Sequence, residues 1–247
     1  MRSLWKSTLV EAKLFLREPF ATFFTLAFPL MMLFIFGSIY GNEPTDFFAG
    51  RGSVDVSVPR YMAMIIASVG MLSIAISLSV YRESGVLRRY QATPLRPRTI
   101  LASTVLVNLA MTLLGVMLLI VAAKVVYGLR FDGNPFAVLA GFVLGALSLF
   151  SLGFVIAGLA PTARVAQVVG MVIFYPMLFL SGAGFPSEAF PDSLRAFSKY
   201  LPLTHVVTLL EGLWFGDALG AHTVEMAVLA GILIIGVIVS TRTFRWE

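Results

Sequence analysis

The chain is expected to fold as an all-α membrane protein with six transmembrane helices. Three observations lead there. Of its 247 residues, 58% are hydrophobic and 13% charged, with a mean hydropathy of +0.91, whereas a soluble domain carries about 25% charge. The apolar content is gathered into long charge-free runs rather than scattered. These runs do not alternate polar and apolar residues as the strands of a membrane barrel do. Helices, which satisfy their own backbone groups in lipid, are therefore the element they specify. A disulfide framework is excluded, because the chain has no cysteine.

Residues 1–18 form a candidate interfacial helix. At 100° per residue Arg2, Lys6, Lys13 and Arg17 fall within an arc of roughly 60°, and Leu4, Trp5, Leu9, Ala12, Phe15 and Leu16 fill about 140° beside it. Such a helix lies in the headgroup layer with its aromatics down and its cations toward lipid phosphates. The same residues also fit a plain charged extension. No secretory leader is expected, since the first apolar run starts late and is too long for a signal core. Pro19 separates this segment from the first span.

Crossing a hydrocarbon core of roughly 30 Å takes about 20 apolar residues. The charge-free runs Pro19–Asn42, Tyr61–Tyr81, Thr99–Ala123, Gly133–Ala163, Val165–Ser187 and Met226–Thr241 place spans at 20–40, 60–81, 99–124, 135–160, 165–183 and 223–241. Pro29 marks a kink or a packed gap in the first of them. Gly141 and Gly145 form a small-x-x-x-small pair suited to close helix approach. The outward loop 42–60, rich in Gly, Pro, Asp and Ser, is expected to be irregular.

Two connections carry more pattern. In the loop 82–98, Val86, Leu87 and Tyr90 fall on one helical side, Arg88 and Arg89 straddle the rest, and Pro94 and Pro97 end the turn. These residues suit a docking helix for a partner protein, and equally a basic loop that contains one helical turn. The outward segment 184–222 is too apolar to be a free loop. Pro186, Pro191 and Pro202 divide it into short pieces, read as re-entrant helices folded back onto the bundle, where broken helices are tolerated only against protein or a cavity.

With six spans both termini lie on one side. That side holds 12 of the 18 Lys and Arg with four acids, and the other holds six with nine acids. The positive-inside rule puts both termini in the cytoplasm, as in the cytoplasmic (inner) membrane of a prokaryote. The overall charge of +5 does not indicate nucleic acid, because the basic residues sit at span ends, where insertion and the anionic leaflet account for them.

The spans hold almost no ionisable residue, which argues against an ion-coupled carrier and against an embedded hydrolase. The two histidines, His205 and His222, lie in the outward region as interfacial or loop residues, so no metal centre is expected. Glu225 lies near the start of the last span, within reach of the interface. The 247 residues contain no Gly-x-x-x-x-Gly-Lys-Ser/Thr loop. No cofactor is expected on this chain, and any energy for active transport must come from another subunit.

Three stretches carry a family likeness. They are the lead-in helix before span one; Tyr81-Arg-Glu-Ser-Gly-Val-Leu-Arg-Arg-Tyr-Gln-Ala-Thr-Pro-Leu-Arg-Pro97; and Leu180-Ser-Gly-Ala-Gly-Phe-Pro-Ser-Glu-Ala-Phe-Pro191, continued in Tyr200-Leu-Pro-Leu-Thr204. With them the chain resembles the permease subunit of the type-2 ATP-binding-cassette exporters. The resemblance implies a permease that pairs with a second copy, expected as a homodimer, and docks on two separate ATPase subunits carrying ATP and Mg. It makes Trp5, Lys6, Leu9, Lys13, Phe15, Leu16 and Arg17 part of a connecting helix. Glu83, Gly85, Val86, Leu87, Arg88, Arg89 and Tyr90 become the ATPase-coupling segment, with Glu83 and Gly85 on the motif's fixed Glu and Gly. Arg88 and Arg89 stand where an acidic residue is commoner. Ser181, Gly182, Phe185, Pro186, Pro191, Leu201, Pro202, Leu203 and Thr204 belong to the outer re-entrant motif. The implied activity is export of an amphipathic or hydrophobic substrate, drug, lipid or glycan-like, by alternating access. A nucleotide-independent channel, or a structural or sensory subunit that recruits a cytoplasmic protein, are the other readings.

Overall fold

The computed structural model describes residues 22–85, 97–185 and 189–243, with the side chains of 97–100 left aside. Six helices in it are long and apolar enough to cross a membrane. They are α1 (Phe23–Tyr40), α2 (Ser53–Glu83), α3 (Pro97–Tyr127), α4 (Pro135–Leu159), α5 (Ala163–Leu180) and, after two short helices, α8 (Thr223–Thr243). The short pair is α6 (Asp192–Ser198) and α7 (Pro202–Trp214). A two-stranded antiparallel ribbon, β1 (Pro44–Thr45) with β2 (Arg51–Gly52), lies between α1 and α2. The lead-in segment 1–18 falls outside the described residues. We call the side with the α2–α3 connection and the α4–α5 turn the near face, and the opposite side the far face.

Helix α2 is the axis of the molecule. Its 31 residues include Asp55, Arg60, Ser68, Ser73, Ser77 and Ser79, all buried, and polar groups that lipid leaves without partners have to be enclosed by other helices. Met64, Ile65, Ile66, Met71, Ile74 and Leu78 are almost fully buried. Apolar area gives helices little reason to associate in lipid, so close packing through small residues does that work. A Cβ on Gly70 would fall 2.7 Å from the carbonyl oxygen of Leu149 in α4, and one on Gly170 of α5 would fall 2.6 Å from that of Met71. A Cβ on Gly153 of α4 would collide with the carbonyl of Gly70. At this crossing α2 widens into a π-helical segment, Val69–Ile74.

Several boundaries differ from the sequence expectation, each for a local reason. Helix α2 begins at Ser53, not at 60, so half of the loop expected to be irregular is helical. Asn42 supplies the missing cap: its Oδ1 accepts from the backbone N–H of Val54 and Asp55, both at 3.1 Å. Helix α5 ends at Leu180 rather than 183, because Gly182 turns the chain with φ +90°. In α1 a π-helical turn, Phe23–Ala27, precedes Pro29, and the altered hydrogen-bond ladder there coincides with the proline's missing N–H. The segment before α8 is a 3₁₀ turn, Leu219–His222. There His222 is buried against Gly212 rather than lying in a solvated loop, with Nε2 3.2 Å from Asp217 and Nδ1 3.7 Å from Glu225.

The α6–α7 pair is a re-entrant hairpin. Gly141 of α4 faces Leu209 and Leu213 of α7, and Gly145 faces Val206. The close-approach pair is thus used, and its partner is the re-entrant helix rather than another span. Gly145 lies about 15 Å along the α4 axis from Pro135, so the start of α7 reaches about half-way through a roughly 30 Å core. Leu203, Val206, Val207, Leu209, Leu210 and Leu213 are buried there. Thr204 Oγ1 donates to the carbonyl of Ser198 at 2.6 Å and closes the hairpin tip.

A methyl group at the central crossing has nowhere to go. Gly153→Ala is expected to cost about 1–3 kcal/mol by overpacking against backbone. Gly231→Ala, on an open face of α8, should be neutral or slightly stabilising, since Ala favours the helix by up to about 1 kcal/mol. Thermal unfolding of the two variants in detergent checks the contrast.

Candidate functional site: the two ends of helix α2

At the near face, α2 closes with Arg82 and Glu83. Arg82 donates to the carbonyls of Ala157, at 2.9 Å, and of Ala160, both at the C-terminal end of α4. Glu83 Oε1 accepts from the N–H of Ala163, the first residue of α5, at 2.9 Å. A guanidinium thus meets the negative end of one helix dipole and a carboxylate the positive end of the next. The adjacent pair clasps both sides of the α4–α5 turn. Thr162 completes the turn by accepting from Val165 N at 3.2 Å.

Gly85 then ends the helix. Its φ of +68° is the left-handed conformation that favours glycine, and its N–H reaches the carbonyl of Arg82 at 3.1 Å. Of the sequence-derived coupling residues the structure describes Glu83 and Gly85. Val86, Leu87, Arg88, Arg89 and Tyr90 lie outside the described residues, as do Trp5, Lys6, Leu9, Lys13, Phe15, Leu16 and Arg17.

At the far face, α2 borders a cavity of about 410 Å³. Phe36 and Tyr40 of α1, Phe47 and Phe48 of the ribbon turn, and Tyr61 and Phe185 give it aromatic walls. Ser53, Ser57 and Arg60 add polarity along α2. Phe185 stacks on Phe190 with centroids 6.1 Å apart. Gly182 borders the same cavity, and Ser181 steadies its loop by accepting from Ala183 N at 3.2 Å. Leu201, Pro202, Leu203 and Thr204 sit instead at the hairpin tip, and Pro191 leads into α6. The outer motif is therefore split between two places. Pro186 lies outside the described residues.

The strongest interaction at this end joins Arg60 to Glu211 of α7. Nε to Oε2 is 3.2 Å and the second nitrogen to Oε1 is 3.1 Å, a two-pronged contact of the kind a planar guanidinium favours. The side chains are 6% and 24% exposed. Beside it, buried Asp55 accepts from Asn42 Nδ2 at 3.0 Å and from Arg130 N at 2.8 Å. Trp214 Nε1 donates to the carbonyl of Arg130 at 3.2 Å. The re-entrant hairpin, the α1–α2 loop and the α3–α4 loop are thereby tied to the head of α2.

Sequence reasoning missed this cluster. It left Asp55 and Arg60 in a loop and counted the spans as nearly free of charge. The available signal was the isolation of these two charges at the head of a long apolar run, since an ionisable residue within a span has to find a partner.

The profile of the ABC-2 type transporter family matches residues 2–215. The chain belongs to this family. Nodulation protein J of Rhizobium leguminosarum bv. viciae is 31% identical over 99 residues, covering 40% of this chain and 38% of the relative. The inner membrane transport permease YhhJ of Escherichia coli (strain K12) is 23% identical over 158 residues, 62% of this chain and 42% of the relative. ABC transporter G family member 20 of Dictyostelium discoideum is 24% identical over 191 residues, 77% of this chain and 25% of the relative. The matches thus span less than half of the length of these curated relatives.

Removing one member of the Arg60–Glu211 pair strands a buried charge. Glu211→Leu alone is expected to cost about 3 kcal/mol, while the double variant Arg60→Met/Glu211→Leu should lie within about 1 kcal/mol of the original. Denaturant titration of both proteins decides it. An equal loss in single and double variants would show that an unpaired Arg60 charge is not the cause of the loss.

Proposed function

We propose that the chain is the transmembrane subunit of an ATP-driven exporter, with ATP hydrolysed on a separate ATP-binding-cassette subunit docked at the near face. In this reading the near face is cytoplasmic, the far face is outward, and two copies of the chain work together. The observation that carries it is the continuity of α2. One helix connects the segment 82–90 with the aromatic cavity, and its near end is bonded to both α4 and α5.

Closure of two nucleotide-bound partners presses on residues 82–90. Arg82 and Glu83 keep the near ends of α2, α4 and α5 moving together, because each would otherwise leave helix-terminal groups without partners. At the far end the motion reaches the head of α2, where Arg60 draws Glu211 and the re-entrant hairpin with it. The cavity then changes width without breaking the pair. Aromatic walls with one paired cation and a few hydroxyls suit an amphipathic cargo, because most ligand surface is held by apolar contact and a few polar groups set orientation.

Three disruptive substitutions and one conservative control in the full chain, co-purified with its ATPase partner, separate docking from relay. Leu87→Glu and Tyr90→Glu should weaken association by about tenfold or more, the equivalent of 1.4 kcal/mol. Glu83→Ala should leave association intact but lower cargo-stimulated ATP hydrolysis, while Glu83→Gln, which keeps the acceptor, should recover most of it. Unchanged association and unchanged stimulation in all three would reject the relay.

A further inference from the structure

We propose that the near face holds a built-in site for one anionic phospholipid of the surrounding bilayer, with its headgroup between Arg82 and Arg242 and one acyl chain in a slot between α4 and α5. Two adjoining cavities carry the inference. The first, about 520 Å³, lies where α2, α4 and α8 end, and is bordered by Arg82, Arg242, Thr243 and the residues Gly158–Pro161. The second, about 430 Å³, is a wholly apolar slot between α4 and α5. Leu159, Ala160 and Pro161 border both, so the slot and the basic pocket meet at the α4–α5 turn.

The slot has the dimensions of one leaflet. Val165, Val169, Ile173 and Met177 of α5 line it along three turns, about 18 Å of helix, and half of a roughly 30 Å core is about 15 Å. Its inner end is Pro202, the tip of the re-entrant hairpin. Met71, Ile156 and Met177 form a buried floor, while Leu159, Val165 and Ile173 on the walls are 63%, 38% and 39% exposed. An open apolar channel of that length beside the headgroup layer accepts a chain that enters sideways from the bilayer.

Charge selects the headgroup. The C-terminal ends of α2, α4 and α8 bring about half a negative charge each, against two full positive charges on Arg82 and Arg242, leaving the pocket about half a charge positive. That complements a phosphodiester. Arg82 uses part of its guanidinium on the carbonyls of Ala157 and Ala160, and a guanidinium has five donors. Arg164, exposed on the first turn of α5, adds a third cation beside the same turn. The nearby acid, Glu83, is engaged by the N–H of Ala163. Basic pockets between membrane helices bind anionic headgroups by this arithmetic.

The test uses the full chain, delipidated in detergent, with added phosphatidylglycerol or phosphatidylcholine, and reads retained lipid by native mass spectrometry together with the thermal midpoint. The original chain should retain one phosphatidylglycerol about tenfold more tightly than phosphatidylcholine, the ratio that 1.4 kcal/mol provides, and should melt higher with it. Arg242→Gln should abolish that preference. Val169→Trp and Ile173→Trp, which fill the slot, should abolish retention of either lipid while leaving the lipid-free midpoint in place. Equal retention of the two lipids, or preference unchanged by Arg242→Gln and by both tryptophans, overturns the site. No ATPase subunit is needed, so failure here is separable from failure of the proposed relay.

Discussion

A helix 31 residues long that carries Asp55, Arg60 and a series of buried serines has to be wrapped by its neighbours, because lipid offers polar groups no partner, and neighbours in lipid approach closely only where side chains are small. Gly70, Gly153 and Gly170 meet that condition at one level of the bundle, bringing the backbones of α2, α4 and α5 together. From that contact the other features follow. The α4–α5 turn is carried to the end of α2, where Arg82 and Glu83 reach it, and α7 finds room against Gly141 and Gly145 on the far half of α4. The π-helical segment of α2 lies at the same level. An extra residue per turn there offers more backbone surface to the two helices that cross it.

The two ends of α2 are bonded differently. At the near end the partners of Arg82 and Glu83 are backbone groups, which cannot change rotamer or protonation. At the far end Arg60 meets a side chain, Glu211, and Asp55 collects donors from two separate loops. A buried ion pair contributes little net stability because desolvation offsets attraction, but breaking it is costly. Such a pair suits a joint that must stay closed while the elements carrying it shift. Fixed bonding at one end and side-chain bonding at the other agrees with the proposed relay, in which force enters at the near face.

How much of this was legible in the sequence follows from the range of the interactions. The six spans were readable because a charge-free run records, residue by residue, the cost of placing charge in hydrocarbon. The hairpin between α5 and α8 was readable for the same reason, since thirteen large apolar residues with prolines among them could be neither a free loop nor one span. The head of α2 was not. Ser53, Asp55, Ser57, Pro59 and Arg60 look like a loop, and they become helical only because Asn42 caps them and Glu211, 151 positions away, pairs with Arg60. The ribbon strands of two residues each are too short to show alternation. Gly141 and Gly145 announced a close approach without naming the partner. Among the outer motif residues, spacing in the chain gave no hint that Gly182 and Phe185 would border a cavity while Leu203 and Thr204 built the tip of a hairpin at mid-depth.

The bonds inside the bundle add a last distinction, between α3 and the α4–α5 pair. Ser77 and Ser79 of α2 donate to carbonyls four residues back in their own helix, and Asn108 and Thr112 of α3 do the same. Between the two helices the bond from Ser73 to Asn108 is 3.5 Å long, at the limit of a useful contact. Polar groups satisfied within their own helix impose no register on a neighbour, so at mid-depth α2 and α3 meet by packing, and the register between them is set at the far face, where Asp55 accepts from the N–H of Arg130 just beyond α3. The α2–α4–α5 contact is held differently, with glycine backbones interlocked at mid-depth and charged groups clasping the turn at the near face. The near end of α2 is therefore joined to α4 and α5 by hydrogen bonds to backbone, whereas its tie to α3 lies at the far face. The slot between α4 and α5 borders the same contact, so in the proposed relay the proposed lipid would travel with α4 and α5 instead of being sheared between moving parts.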